Sequence, residues 1–121
     1  MTLQECYAAF GGDYAAVTAR LRSEKLVEKF VLKFLSDNSY ELLRSSLAEK
    51  DYEQAFRAAH TIKGVCQNLS FTRLQESSSQ LSEALRHGWT PGAEEWIRRV
   101  EEDYLVTLEA IKAFESERKD V

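Results

Sequence analysis

The sequence predicts an all-α fold, an antiparallel four-helix bundle preceded by one or two short helices. Apolar residues recur at intervals of three and four along most of the 121-residue chain, which places them on one face of a helix. No stretch shows the period-two alternation typical of a half-buried strand. The chain has one proline and five glycines, so little interrupts long helices. Its length suits one hydrophobic core, and residues 1–121 are therefore expected to form a single domain.

Two short helices are predicted ahead of the bundle. The first covers about residues 3–10 and stops at Gly11-Gly12. Asp13 is a capping residue type and is expected to open the second, which carries Tyr14, Val17 and Leu21. An amphipathic helix follows over about residues 23–37, and its apolar stripe consists of Leu26, Val27, Phe30, Val31, Phe34 and Leu35.

Four further helices are predicted from their start signals. A capping residue followed three positions later by Glu or Gln forms a capping box, and this pattern occurs at Asn38, Asp51 and Thr72. The last helix is expected after Thr90-Pro91, because proline is favoured in a first turn. The residues expected to face the core are Leu42, Leu43 and Leu47 in the helix that starts at Asn38, and Leu74, Ser78, Leu81 and Leu85 in the helix that starts at Thr72. In the last helix they are Ala93, Ile97, Val100, Tyr104, Thr107, Ile111 and Phe114.

The predicted helix over residues 51–69 has two distinct faces. His60, Lys63, Gly64 and Gln67 share one face, at positions i, i+3, i+4 and i+7. An imidazole is a nucleophile and a proton carrier near neutral pH. Spacing alone is equally compatible with a reactive histidine and with a surface histidine of no consequence. The opposite face is expected in the core and consists of Ala55, Ala58, Ala59, Ile62, Val65, Cys66 and Leu69.

Gly64 favours a functional interpretation of this outward face. A glycine inside a helix costs about 1 kcal/mol relative to alanine, and no core packing explains this one. Either a partner's backbone approaches the helix beside His60, or the glycine is a tolerated defect, or the helix ends at this point. Lys63 is either a solvated lysine or a fixed charge for added negative oxygens. Phe56 and Arg57 flank the face, and Phe56 suits either a docking patch or a contact with a neighbouring helix.

Composition excludes several classes of function. From Glu94 onward the chain carries nine acids and five bases, out of 20 and 16 in all, so the surplus acid lies in the last helix and nucleic acid is not an expected partner. Cys6 and Cys66 lack metal-ligand spacing and are expected to be buried, reduced thiols. No apolar run reaches the roughly 18 residues of a membrane span, and the N-terminus lacks a signal-peptide pattern. We therefore expect a cytoplasmic protein without a metal site.

The run Ala59-His60-Thr61-Ile62-Lys63-Gly64, in the middle of a bundle helix, resembles the histidine-containing phosphotransfer (HPt) domain of bacterial two-component phosphorelays. Residues 30–35, and then 49–52 after a leucine-bearing helix, are similar to the family's approach to its histidine helix. Leucines downstream stand where such domains place the return helix. The chain departs from the family at Val65 and Cys66, where small residues are common, and at Ser70, where glycine is common.

The resemblance implies a phosphorelay intermediate. His60 would accept a phosphoryl group from a receiver-domain aspartyl phosphate and pass it to a second receiver, with Lys63 stabilising its charge. Gly64 would give clearance to the receiver, and Gln67, Phe56 and Arg57 would contact it. The partners implied are receiver domains of response regulators and hybrid histidine kinases, and the receiver would supply a divalent metal. The chain itself is expected to need no cofactor.

The chain has no Gly-rich phosphate loop and no kinase signature, so we expect neither ATP binding nor autonomous kinase activity.

Two other functions compete with that of a phosphorelay intermediate. A non-catalytic module that binds receiver domains would need neither His60 nor Lys63. An acid–base enzyme would need a carboxylate beside His60, and neither Glu53 nor Glu76 can be placed there from the sequence. His87, before Gly88, is expected to close a helix C-terminus, where positive charge is favoured. We expect a monomer, because a dimer seam would compete with the outward face.

Overall fold

The computed structural model describes residues 1–119, in which helices are joined by short turns and loops. These residues contain no β-strand. The elements in chain order are α1 (Leu3–Phe10), α2 (Tyr14–Leu21), α3 (Glu24–Lys33), a 3-10 turn (Phe34–Ser36), α4 (Ser39–Ala48), α5 (Tyr52–Leu69), α6 (Thr72–Leu85) and α7 (Ala93–Lys119).

Helices α4 to α7 form an antiparallel four-helix bundle, which confirms the predicted fold class. Each pair of consecutive helices is joined by a short connection and packs side by side. The short helices α1 and α2 precede the bundle as predicted. Helix α1 packs along α7, whereas α3 packs against α2 and also contacts α5 and α7. The α-helical part of the segment predicted over residues 23–37 ends at Lys33 and continues as the 3-10 turn.

The turn between α5 and α6 is embedded in an aromatic cluster. The ring of Phe71 is fully buried and lies 4.7 Å from the ring of Phe10, 5.6 Å from that of Tyr7 and 5.2 Å from that of Phe34, measured between centroids. These edge-on and tilted pairs are geometries that aromatic rings prefer. The cluster therefore joins α1 and the 3-10 turn to the point where the bundle reverses direction.

Hydrogen bonds fasten the same turn to the connection between α1 and α2. The backbone N–H of Asp13 donates to the Ser70 carbonyl over 2.8 Å, and the N–H of Arg73 donates to the Gly11 carbonyl over 3.2 Å. The Tyr7 hydroxyl donates to the Leu69 carbonyl over 2.8 Å. The last carbonyls of a helix have no partner within it, so these bonds satisfy groups that would otherwise lack one.

Two of the predicted capping boxes are wrong, one because of a local side-chain contact and the other because of a tertiary contact. Asn38 makes no capping bond, and the Asp37 carboxylate instead accepts from the Ser39 N–H over 2.8 Å. Thr72 is already the first residue of α6. There the Gly11 carbonyl takes the place of a side-chain cap by accepting the Arg73 N–H. The cap predicted at Asp51 is present, with its carboxylate 3.1 Å from the Gln54 backbone nitrogen.

Two further predictions need correction. Leu42 was expected in the core, but it is 41 % exposed. The buried face of α4 is set by Tyr40, Leu43 and Ser46, and Leu42 falls off that stripe. Helix α7 begins at Ala93 rather than at Pro91, and the Thr90 hydroxyl donates to the Ala84 carbonyl over 2.9 Å instead of capping α7. The other inward residues predicted for α6 and α7 are buried or half-buried.

Ser70 is a strained position, and its replacement by glycine is expected to stabilise the protein. It has φ 57° and ψ 40°, and its buried hydroxyl is the one buried side-chain polar atom without a hydrogen-bond partner within residues 1–119. Glycine removes both penalties, so Ser70→Gly should raise the free energy of unfolding by about 1 kcal/mol. Urea denaturation followed by circular dichroism measures the change.

Arg22→Gly is the matched control for this substitution. Arg22 also has φ 57° but is exposed, so its replacement relieves the backbone alone. The gain at Ser70 should exceed the gain at Arg22. Equal gains, or a loss at Ser70, would contradict the role assigned to the buried hydroxyl.

Both thiols are expected to be unreactive while the protein is folded. Cys6 and Cys66 are fully buried, as predicted. Burial raises the pKa of Cys6 to about 11 and raises that of Cys66 further, so almost no thiolate, the reactive form, is present at pH 8. A disulfide-exchange reagent at pH 8 should label neither cysteine in buffer and both in denaturant. Rapid labelling of the native protein would contradict this prediction.

Candidate functional site

Helix α5 carries the candidate site on one of its two faces. The helix begins at the Asp51 cap and ends where Ser70 turns into the left-handed conformation. Its buried residues are those predicted, with the exception of Val65, which is half-buried; they are Ala55, Ala58, Ala59, Ile62, Cys66 and Leu69. Three alanines on this face let the neighbouring helices approach closely. The face opposite them points away from the bundle.

His60 is exposed on this outward face of α5. Its imidazole stacks on the ring of Phe56, one turn earlier, with centroids 6.1 Å apart and planes 27° apart. No hydrogen bond within the described part of the chain occupies either ring nitrogen. The imidazole is therefore supported on one side and open to an incoming molecule on the other.

Gly64 lies beside His60 and leaves open space above the helix. It is exposed, and a Cβ atom built on it would have no neighbour within 4 Å. Contacts within residues 1–119 therefore do not require a glycine at this position. Gly12 provides the contrast, because a Cβ atom there would come within 2.6 Å of the Tyr7 ring and 2.7 Å of the Phe10 ring.

The other predicted site residues surround His60 in different environments. Lys63 is half-buried, and no ion pair occupies its ammonium group within residues 1–119. Gln67 is exposed, and its backbone carbonyl accepts from Arg20 over 2.9 Å. Arg57 is exposed and is paired with Glu53 over 2.8 Å. Glu53 is thus already engaged by Arg57.

Phe56 contacts the neighbouring helix, which is one of the two interpretations that the sequence left open. Its ring is half-buried and packs against the core. The guanidinium of Arg86, from the end of α6, lies 5.3 Å from the ring centroid in a cation–π arrangement. Phe56 therefore contacts the neighbouring helix on one side and His60 on the other.

Glu83, near the end of α6, and Arg86, its C-cap residue, are site neighbours that were not predicted from the sequence. The Arg86 guanidinium donates two hydrogen bonds to the Glu83 carboxylate, over 2.5 Å and 3.3 Å. These bonds to Arg86 lower the pKa of Glu83, and the positive charges of Lys63 and His87 add to the effect. Counting equal numbers of residues on both sides of the α5–α6 turn places Arg86 opposite Phe56. That register was the signal available in the sequence.

An open groove lies along the other flank of α5. It has a volume of about 650 Å³ and contains more apolar than polar surface. Arg20, Lys33 and Asp37 contribute its charged groups, and its apolar lining includes Leu21, Phe30, Phe34, Val65 and Leu69. Two of its α5 residues, Val65 and Asn68, are sequence neighbours of Gly64 and Gln67 on the outward face.

Residues 1–119 contain no group of three or more His, Cys, Asp or Glu side chains placed to hold a metal ion. No helix in the same range is long and apolar enough to cross a membrane. His87 lies at the C-terminus of α6, as expected, but the helix ends at Leu85 and its C-cap is Arg86, one residue before His87.

Comparisons with known proteins identify the family. No curated protein and no solved structure is similar enough to the chain to count as a match. The sequence model of one family, the Hpt domain, matches residues 32–114. The match extends from the end of α3 into α7 and contains the whole of α4, α5 and α6. Because it covers well over half of the chain and includes the helix that carries His60, the protein belongs to the Hpt domain family.

Proposed function

We propose that the protein is a phosphorelay intermediate that carries a phosphoryl group on His60. It accepts this group from a receiver-domain aspartyl phosphate and passes it to another receiver domain. The observation that supports this most is the exposed imidazole of His60, with Lys63 one turn away and open space above Gly64. Family membership supports the coarser statement that the domain is a phosphotransfer module.

The transfer needs little from this chain beyond a positioned nucleophile. The lone pair of one imidazole nitrogen attacks the phosphorus of the aspartyl phosphate, and an N–P bond forms. The bond between phosphorus and the aspartyl oxygen breaks, and the aspartate carboxylate leaves with the electron pair of that bond. The imidazole proton on the other nitrogen stays there or passes to solvent. Catalysis of such a transfer is mainly positioning and charge stabilisation.

Each neighbour of His60 has a proposed part in this transfer. The ammonium of Lys63 stabilises the phosphoryl oxygens once they are attached to His60. Gly64 leaves room for the receiver's backbone, and Gln67, Phe56 and Arg57 contact the receiver around it. The groove beside Val65 supplies apolar surface for the same partner. The receiver provides the divalent metal and the acidic pocket.

In this proposal the protein acts as a monomeric carrier in the cytoplasm. It has no cofactor of its own, no kinase activity and no affinity for nucleic acid. Protonation of the imidazole removes the attacking lone pair, so acceptance weakens in acid.

Replacement of His60 is expected to abolish phosphoryl acceptance. The assay mixes the protein with receiver domains of the same genome that have been loaded with radiolabelled acetyl phosphate. The wild type should acquire label that is lost in acid and retained in alkali, as expected of an N–P bond. His60→Ala should acquire none, whereas His87→Ala, which removes the other histidine, should retain the label. Receivers that bind the protein without labelling it would instead indicate a non-catalytic binding module.

Gly64→Ala is expected to separate stability from transfer. The added methyl group meets no neighbour, and alanine is favoured inside a helix, so the free energy of unfolding should rise by about 0.5–1 kcal/mol. Transfer from the receiver should slow at least severalfold, because the methyl group occupies the space that the partner requires. Urea denaturation and the labelling assay measure the two effects. A variant that is more stable and equally fast would show that Gly64 gives no clearance.

A further inference from the structure

We infer that Arg86 is a positioning residue that holds the Glu83 carboxylate away from Lys63, so that the Lys63 charge stays available to a phosphoryl group on His60. The inference rests on the proposed function and adds two residues of α6 to it. Arg86 in this role does not touch the phosphoryl group. It acts through Glu83.

The geometry of Arg86 supports this role, because two contacts fix its position. Its guanidinium binds both carboxylate oxygens of Glu83, one turn earlier on α6, and such a two-point pair holds a carboxylate more firmly than a single bond does. The same guanidinium lies 5.3 Å from the centroid of the half-buried Phe56 ring. Phe56 is anchored in α5 and in the core, so the pair has a fixed support.

Glu83 lies on the side of α6 that faces Lys63. Lys63 shares the face of Phe56 on α5, two turns later, and Arg86, three residues after Glu83, lies over the Phe56 ring. The charged groups that act on the Glu83 carboxylate are Arg86 at the C-cap of α6, Lys63 on α5 and His87 after α6. Among these, Arg86 is the group that binds it directly. Lys63 has a flexible four-carbon chain and is in no ion pair within the described residues. If Arg86 were absent, the ammonium of Lys63 would be the permanently charged group left for Glu83 to bind.

The competition has a direct consequence for a phosphorylated His60. A phosphoryl group on the imidazole adds negative oxygens one turn from Lys63 and needs that ammonium group unpaired. A Glu83–Lys63 pair would neutralise part of the charge and direct the ammonium toward α6. The expected effect is moderate, about three- to fivefold in rate, because ion pairs at exposed positions are weak.

The test uses phosphoramidate, a small donor that phosphorylates exposed histidines without a receiver domain. The full chain is loaded as wild type, Arg86→Gln, Glu83→Gln and the double variant, and modification of His60 is followed by NMR at its imidazole, which separates it from His87. Arg86→Gln should load about three- to fivefold more slowly and lose the phosphoryl group faster. Glu83→Gln should load at least as fast as the wild type.

The double variant decides between the inference and a structural role of Arg86. If Arg86 acts by restraining Glu83, removal of the carboxylate should restore the Glu83→Gln rates even without Arg86. A double variant as slow as Arg86→Gln would overturn the inference, since Arg86 would then act by packing on Phe56 or on the phosphoryl group itself. An Arg86→Gln variant that behaves as the wild type would overturn it too.

A second readout is the signal of the Lys63 ammonium group. In unphosphorylated Arg86→Gln, its hydrogen exchange should slow as Glu83 binds it, and the double variant should reverse this change. The phosphoramidate and hydrogen-exchange measurements use no receiver domain, so their outcome is independent of the test of the proposed function. The proposed function is contradicted if receivers never label His60. The inference about Arg86 is contradicted if the loading rates of the variants differ from those expected.

Discussion

The arrangement of the residues around His60 depends on the buried turn between α5 and α6. Phe71 fixes the turn by inserting its ring among those of Tyr7, Phe10 and Phe34. Backbone bonds from Asp13 and Arg73 lock it to the end of α1. Once this point is fixed, antiparallel packing determines which residue of α6 lies beside each residue of α5. This register places Arg86 over the Phe56 ring, and it places Glu83 where the charge of Lys63 acts on its carboxylate.

The second determinant of the site is the difference between the two faces of α5. Small and apolar side chains on one face pack the helix into the bundle, so His60 and Gly64 on the other face are not needed for packing. Both residues are exposed. An exposed imidazole with a lysine nearby is ill suited to enclosing a small substrate. It suits the transfer proposed above, in which a second protein supplies the enclosure, and this agrees with the family to which the chain belongs.

The helices and the division of α5 into two faces were predictable because they depend on local spacing. Apolar residues at intervals of three and four define both, and the core residues predicted for α5 are buried apart from the half-buried Val65. The helix ends were less predictable, as Asn38 and Thr72 show. Each stands where a capping box was expected, yet the backbone N–H groups there are satisfied by the Asp37 carboxylate and the Gly11 carbonyl. At Asn38 the neighbouring residue in the chain takes over the cap, whereas at Thr72 the partner comes from a distant part of the chain, which a capping pattern does not include.

The sequence by itself determined the helical class, the outward face of α5 and the residues that occupy it, because a helix relates neighbours along the chain by a constant rotation. The tertiary structure alone decided what stands next to that face. It brought Glu83 and Arg86 from α6 to one side and the groove near Val65 to the other. Those neighbours depend on the depth and orientation of packing between helices distant in sequence, which the buried aromatic turn sets and which no local pattern encodes.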